Sequence, residues 1–190
     1  GELVTDTPLW SGRFAKPPAP EAEALGRSLG FDVRLAPQDV EASVAHVRAL
    51  EDAELITSDE AGQVEKALRE VGAEIAAGTF AFHAADEDVH SAIERGVIDR
   101  LGDVGAKLHA GRSRNDLVMA DLRLWLLAAA GRIDEGIVRV IRALVAHARE
   151  HAETVIPGTT HVRLAQPVTL GHHVLAHAWG LLRDRERLAQ

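Results

Sequence analysis

The chain of 190 residues sets 21 basic against 29 acidic side chains, a formal charge of −8, which disfavours non-specific binding to nucleic acid or to anionic membranes. It has no cysteine, so a disulfide scaffold, a thiolate nucleophile and any Cys-based zinc or iron–sulfur site are excluded. With 46% hydrophobic residues, no tyrosine and 4% aromatics, it reads as a globular protein without base-stacking platforms. No apolar run approaches the ~18–20 residues of a membrane span. Gly1 to Trp10 lacks the basic and then apolar stretch of a secretion signal, so the expected location is cytoplasmic.

In chain order, the first 35 residues are expected to be loop-like, because Pro17, Pro18 and Pro20 fix φ and remove donors. After Pro37 the pattern turns helical: Val40, Val44, Val47 and Leu50 recur at spacings of three and four and form one apolar stripe. Thr57 and Glu60 have the spacing of a capping box. From there Ala61, Val64, Leu68, Val71 and Ile75 carry a second helix to Gly78. A third is expected from Glu87 to Leu101 through Ile93, Val97 and Ile98. The longest begins near Asn115 and continues to about Thr154, with Leu117, Leu124, Leu127, Ile133, Ile137, Ile141 and Leu144 on or beside one face. At 1.5 Å per residue such a helix is ~60 Å long and needs long neighbours to cover its stripe. A last helix starts near Thr169 and is still in register at Gln190, so the chain reads as cut inside a helix. No run alternates with period two. The expected class is all-α, with an N-terminal helical domain (1–112) carrying an extended arm, and the start of a long-helix bundle (113–190).

Lys107-Leu-His-Ala-Gly-Arg112-Ser-Arg114-Asn115-Asp116 concentrates cations in an acidic chain and then opens the longest helix. Free N–H groups at a helix N-terminus favour an anion, so this segment reads either as a carboxylate- or phosphate-binding corner or as an ordinary charged loop with an N-cap. Pro157-Gly-Thr-Thr160-His161 falls in the break between the last two helices. A hydroxyl beside an imidazole is a plausible proton-transfer pair, and the alternative is an exposed turn residue. His172, His173 and His177 invite a metal reading, because His173 and His177 are one helical turn apart, but no carboxylate stands at ligand spacing and hydrogen-bonded histidines are the plainer reading. Asp86-Glu-Asp88-Val-His90 reads as favourable acidic charge at a helix start.

The wording and order of these segments is more informative than any one of them. Leu9-Trp-Ser-Gly-Arg-Phe14, Asp39-Val-Glu-Ala-Ser43-Val-Ala-His46, Glu87-Asp-Val-His90, Lys107 to Asp116, Pro157 to His161 and Ala165-Gln-Pro167 occur in sequence. Over essentially the whole chain this resembles the argininosuccinate lyases of the fumarase/aspartase superfamily. The resemblance implies a mostly helical, fumarase/aspartase-like subunit of a homotetramer with shared active sites and a long-helix bundle at its centre. It implies reversible elimination of argininosuccinate to arginine and fumarate, the last step of arginine biosynthesis, with no metal or organic cofactor. His161 matches the family's catalytic histidine. Thr160, Asn115, Arg114 and Ser28 match residues that hold the substrate, Asp88 matches a further contact, and His90 is a weaker candidate.

Two positions depart from the family pattern: Thr159 stands where a tyrosine is usual, and Ala110 where a threonine is usual. The superfamily's mobile Ser-Ser-x-Met-Pro loop with its catalytic serine is absent, since the single methionine, Met119, lies inside the long helix. The resemblance therefore implies a piece covering under half of a subunit, inactive by itself. The rivals are another lyase of the superfamily, such as aspartase, fumarase or adenylosuccinate lyase, and a non-enzymatic relative of the delta-crystallin kind.

Overall fold

The structure, a computed structural model, describes residues 19–190. The motif from Leu9 to Phe14 and the loop expected around Pro17 and Pro18 lie outside the described residues. Helices dominate, in the order α1 (Pro20–Gly26), α2 (Leu29–Asp32), α3 (Ala36–Asp52), α4 (Ser58–Ala77), α5 (Val89–Leu101), α6 (Asp103–Ala106), α7 (Arg114–Glu150) and α8 (Leu170–Leu188). Two 3-10 turns, Val33–Leu35 and Lys107–His109, complete the helical part, and strands β1 (Val155–Thr160) and β2 (Arg163–Thr169) form a hairpin. The chain divides into two compact units at Trp125/Leu126.

In the first unit the stripes expected from sequence build the core. Val44, Val47 and Leu50 of α3 pack with Val64, Leu68 and Val71 of α4 and with Val89, Ile93 and Val97 of α5, and Leu108 closes one end. Helix α4 starts at a complete capping box: Thr57 Oγ1 accepts from the Glu60 backbone N–H at 3.2 Å, and Glu60 Oε2 accepts from that of Thr57 at 3.0 Å. Asp88 caps α5 in the same way, its carboxylate accepting from the Ser91 N–H at 2.6 Å.

The loop expected before residue 36 is corrected here, because residues 20–35 are almost wholly helical turns. Pro20 stands at the start of α1, where its missing N–H costs nothing, and Glu21 and Glu23 place negative charge at that end. Proline there nucleates a helix.

The second unit contains one element that the periodicity did not disclose. The stretch expected to be a plain break between helices is an antiparallel hairpin that pairs Val155 with Thr169 and Thr160 with Arg163. Its strands are mostly exposed on both faces, so no apolar alternation marks them. Helix α8 returns alongside α7, with Arg185 bridging both carboxylate oxygens of Asp134 at 2.5 and 3.0 Å. At Gly171 the two backbones meet, and a Cβ added there would stand 2.5 Å from the Ala148 carbonyl oxygen and 2.9 Å from that of His151. Only glycine permits that approach. Gly171 N–H donates to the His151 carbonyl at 2.9 Å, and Leu170 N–H to that of Thr154 at 2.8 Å. Among the described residues of this unit only Ala148, Gly171 and Ala178 are buried.

Candidate active site

Three helices bring most of the nominated residues of the first unit into one corner. The chain leaves the 3-10 turn at Lys107–His109, reverses at Gly111 with φ of +63°, and enters α7 at Arg114. Ser113 caps that entry: its carbonyl accepts from the Asp116 and Leu117 N–H groups at 3.1 and 3.3 Å, and its hydroxyl accepts from that of Asn115 at 3.3 Å. The side chain of Asn115 is exposed at the head of the helix.

This loop is tied down on several sides. Lys107 donates from Nζ to Glu60 Oε1 at 2.5 Å, so the glutamate that caps α4 also holds the loop. The lysine holds the Glu60 carboxyl below its ordinary range. His46 Nε2 donates to the Ala110 carbonyl at 3.0 Å; burial, then the charge of Arg112, push its pKa down, which favours the neutral donor form. Arg112 donates from Nη1 to Ser43 Oγ at 3.0 Å. Ser43 and His46 are neighbours on one helical face, so α3 grips the loop at two points.

Arg114 is half-buried between two acids. Its Nη2 donates to Glu94 Oε2 at 3.4 Å, and its Nη1 lies 3.7 Å from Asp88 Oδ1. That last distance suits an ion pair but exceeds a hydrogen bond, and Nη1 is buried with no hydrogen-bond partner. Buried donors are nearly always satisfied, so among the described residues this cationic nitrogen stands out as a buried donor with unused hydrogen-bonding capacity. Ser28 approaches from the other side: its N–H donates to the Glu87 carbonyl at 2.8 Å and its hydroxyl to Asp32 Oδ2 at 2.5 Å. Asp32 in turn accepts from the Val89 N–H at 3.0 Å. Ser28, Asp88, Arg114 and Asn115 are thus assembled around the N-termini of α5 and α7.

His90 faces the other way, into the core. It is 4% exposed, and its Nδ1 donates to Asp39 Oδ2 at 2.6 Å, with Asp121 Oδ2 at 3.3 Å. Nδ1 carries one hydrogen, which the shorter contact takes, so Asp121 feels the imidazolium charge without a directed bond. Burial pulls the His90 pKa down, but Asp121 and Asp39 outweigh it and raise it to about 9. Burial raises that of Asp121 in the opposite sense, against the pull of His90. His90 is a charged strut between α3, α5 and α7. Asp39 belongs to the quoted Asp39–His46 segment, yet no sequence signal paired it with a histidine 51 residues away.

In the second unit, Thr160 and His161 sit at the exposed tip of the hairpin. Thr160 pairs with Arg163, leaving His161 and Val162 as a two-residue turn with φ of 52° and 62°. Two positive values are the signature of a type I′ turn, normally filled by Asn-Gly. A β-branched residue there is strained, and such strain concentrates at functional positions. Of the three histidines on α8, His173 and His177 stack edge to face with ring centroids 5.5 Å apart, and Thr169 Oγ1 accepts from the His172 N–H as the helix cap.

With this geometry in hand, the chain is matched by known proteins along nearly its whole length. The model of a family described as lyase matches residues 12–190. The argininosuccinate lyase of Mycobacteroides abscessus is 51% identical over 181 residues, and that of Mycolicibacterium vanbaalenii 50% over 182; each match covers 95% of this chain. The chain spans only 38% and 39% of the length of these two relatives. Among solved structures, EDDS lyase in complex with formate superposes with a TM-score of 0.71 at 30% identity, covering 92% of this chain and 35% of that one. A β-carboxy-cis,cis-muconate cycloisomerase from Acinetobacter calcoaceticus, at 21% identity and a TM-score of 0.69 over 89% of this chain and 40% of its own, shares the fold.

Proposed function

We propose that this chain, which belongs to the lyase family whose model it matches over residues 12–190, is the amino-terminal part of an argininosuccinate lyase. The observation that carries the proposal is the identity of about half of all residues to argininosuccinate lyases over 95% of the chain. The assembled corner at the head of α7 supplies a chemical reason for it.

The reaction removes a proton from the carbon beside a carboxylate of the succinyl moiety. The electron pair left behind forms the new C=C bond, the C–N bond breaks, and its electrons leave with nitrogen as the guanidinium of arginine. In the intermediate two negative charges crowd one carboxyl group, and preorganised cations and N–H donors stabilise them. In the proposed enzyme Arg114, Asn115 and the N-terminus of α7 hold that carboxylate, Ser28, Asp88 and Thr160 make further substrate contacts, and His161 transfers one of the two protons. No step calls for a metal or an organic cofactor.

The products are arginine and fumarate, and we place the reaction in cytoplasmic arginine biosynthesis. The rest of the subunit supplies the remaining catalytic groups. A second unit with three buried residues has no core of its own, which supports a homotetramer in which α7 and α8 pack into a shared long-helix bundle with active sites formed between subunits.

The test is fumarate release by the complete protein offered argininosuccinate, aspartate, malate and adenylosuccinate in turn. Turnover of argininosuccinate alone is expected. Preference for another substrate would point to a different lyase of the superfamily, and no turnover of any would point to a structural relative.

A further inference from the structure

The end of α7 carries a sequence for which the elimination has no use: His147-Ala-Arg-Glu150-His151. Residues four apart on a helix stand one above the other on the same face. The two imidazole rings accordingly lie side by side, with centroids 6.3 Å apart and planes 6° from parallel. Glu150 completes the face, its Oε2 lying 3.9 Å from Nδ1 of His147. One nitrogen from each ring and one Glu150 oxygen all fall within 4.8 Å of one another. Tetrahedral ligands bonded to one zinc-sized ion at ~2.0–2.2 Å stand ~3.3–3.6 Å apart, so modest side-chain rotations close this group on an ion.

The setting favours a cation. The last carbonyls of a helix carry partial negative charge, Glu153 follows close behind, and Arg149 is the single full positive charge in the segment. Within this chain His147 and Glu150 are exposed and His151 is half-buried. His151 is oriented by its neighbour, with Nδ1 3.3 Å from Thr154 Oγ1. An oriented imidazole of this kind is usual for metal-binding histidines. Among the described residues, a second group with ligand-type atoms close together, Asp39, His90 and Asp121, is different in kind: it is buried, and a 2.6 Å hydrogen bond already closes it.

We propose that His147, Glu150 and His151 form a site for one divalent transition-metal ion of the zinc, nickel and copper class, for which imidazole is the suited ligand. The order His-x-x-Glu-His is one that zinc peptidases use on a helix. Those enzymes add a ligand from another element, and none stands beside this group among the described residues, so the site binds metal without hydrolytic chemistry. It lies at the joint between α7 and the hairpin and is independent of the lyase assignment.

The test uses the complete protein, stripped with a chelator and titrated with Zn²⁺ by calorimetry, alongside His147→Ala, His151→Ala and a His173→Ala/His177→Ala control. One ion per chain is expected. Each α7 variant weakens binding by ~10-fold or more, since losing even an orienting partner of a ligand costs that much. The α8 control leaves it unchanged, and binding fades towards acid pH as protons compete for imidazole. Electron paramagnetic resonance of the unsubstituted protein with one equivalent of Cu²⁺ reads the ligands without any substitution and is expected to show two imidazole nitrogens. Unchanged affinity in the α7 variants, loss in the α8 control, absence of binding down to a dissociation constant of about 100 μM, or a copper spectrum with fewer than two nitrogens each overturns the proposal.

Discussion

Nδ1 of His90 lies 2.6 Å from Oδ2 of Asp39, and both side chains are almost wholly inside the first unit. The pair joins α5 to α3, and Asp121 brings in α7. Breaking a buried pair by removing one partner strands the other charge, which typically costs ~3–5 kcal/mol. His90→Leu or Asp39→Leu in the complete protein is expected to lower unfolding stability by about that much, measured by urea denaturation. A loss below ~1 kcal/mol would show that the pair is not a strut.

The same pair sets a pH dependence. The folded-state pKa of His90 is raised from 6.5 to about 9, so the folded protein binds the proton more tightly than the unfolded chain. The stabilisation is fully present below pH 6.5 and is lost as pH rises towards about 9. The raised Asp121 carboxyl acts in the same direction, favouring the folded state at lower pH. Melting temperature is expected to fall between pH 6.5 and 9 in the unsubstituted protein, and the slope to flatten in His90→Gln. An equal slope in both would remove His90 as the source.

Much of this was legible in the sequence and some was not, for physical reasons. Val44, Val47, Leu50, Val64, Leu68 and Val71 advertise their helices because each stripe faces a core, and the Thr57–Glu60 cap is local enough to read directly. The hairpin is silent because both its faces meet solvent and Pro157 stands opposite Pro167, where a strand signal would ordinarily fail. The strut is silent because its three members come from three helices, and an isolated Asp or His in a sequence carries no sign of its partner. Arg114, Asn115 and Asp88 are legible in the sequence, but that Asp88 and Glu94 flank the Arg114 guanidinium shows only in three dimensions.

Arg114→Leu removes the donor whose Nη1 is buried without a hydrogen-bond partner. One oriented charged contact in a site commonly contributes a few kcal/mol to the transition state, so kcat/KM of the complete enzyme is expected to fall ~10²-fold or more. Steady-state kinetics with argininosuccinate checks this. Normal turnover would end the carboxylate-binding role of Arg114.

His161→Asn separates catalysis from architecture. Asparagine keeps a hydrogen-bonding edge, tolerates a positive φ and loses the titrating group. General acid–base catalysis supplies ~10²–10⁴-fold, so kcat is expected to fall by that factor while the melting temperature barely moves. Lost stability with near-normal kcat would make His161 a turn residue only.

Val162→Gly tests the strain at the hairpin tip. Val162 is fully exposed with φ of 62°, a conformation glycine adopts freely. Stability is expected to rise by ~1 kcal/mol, read from thermal melts. A fall would mean that the valine is held by contacts that outweigh its backbone cost.

The close contact at Gly171 has a mechanical consequence. The hairpin is clamped at its root, where Gly171 N–H and Leu170 N–H donate to the carbonyls of His151 and Thr154, while its far end is a tight turn exposed among the described residues. It is a cantilever, and a small rotation at the clamp becomes a larger displacement at Thr160 and His161. A side chain at position 171 would meet the carbonyl oxygens of Ala148 and His151 and tilt the whole arm. The placement of the histidine at the tip is therefore set ten residues away, by the smallest side chain in the chain.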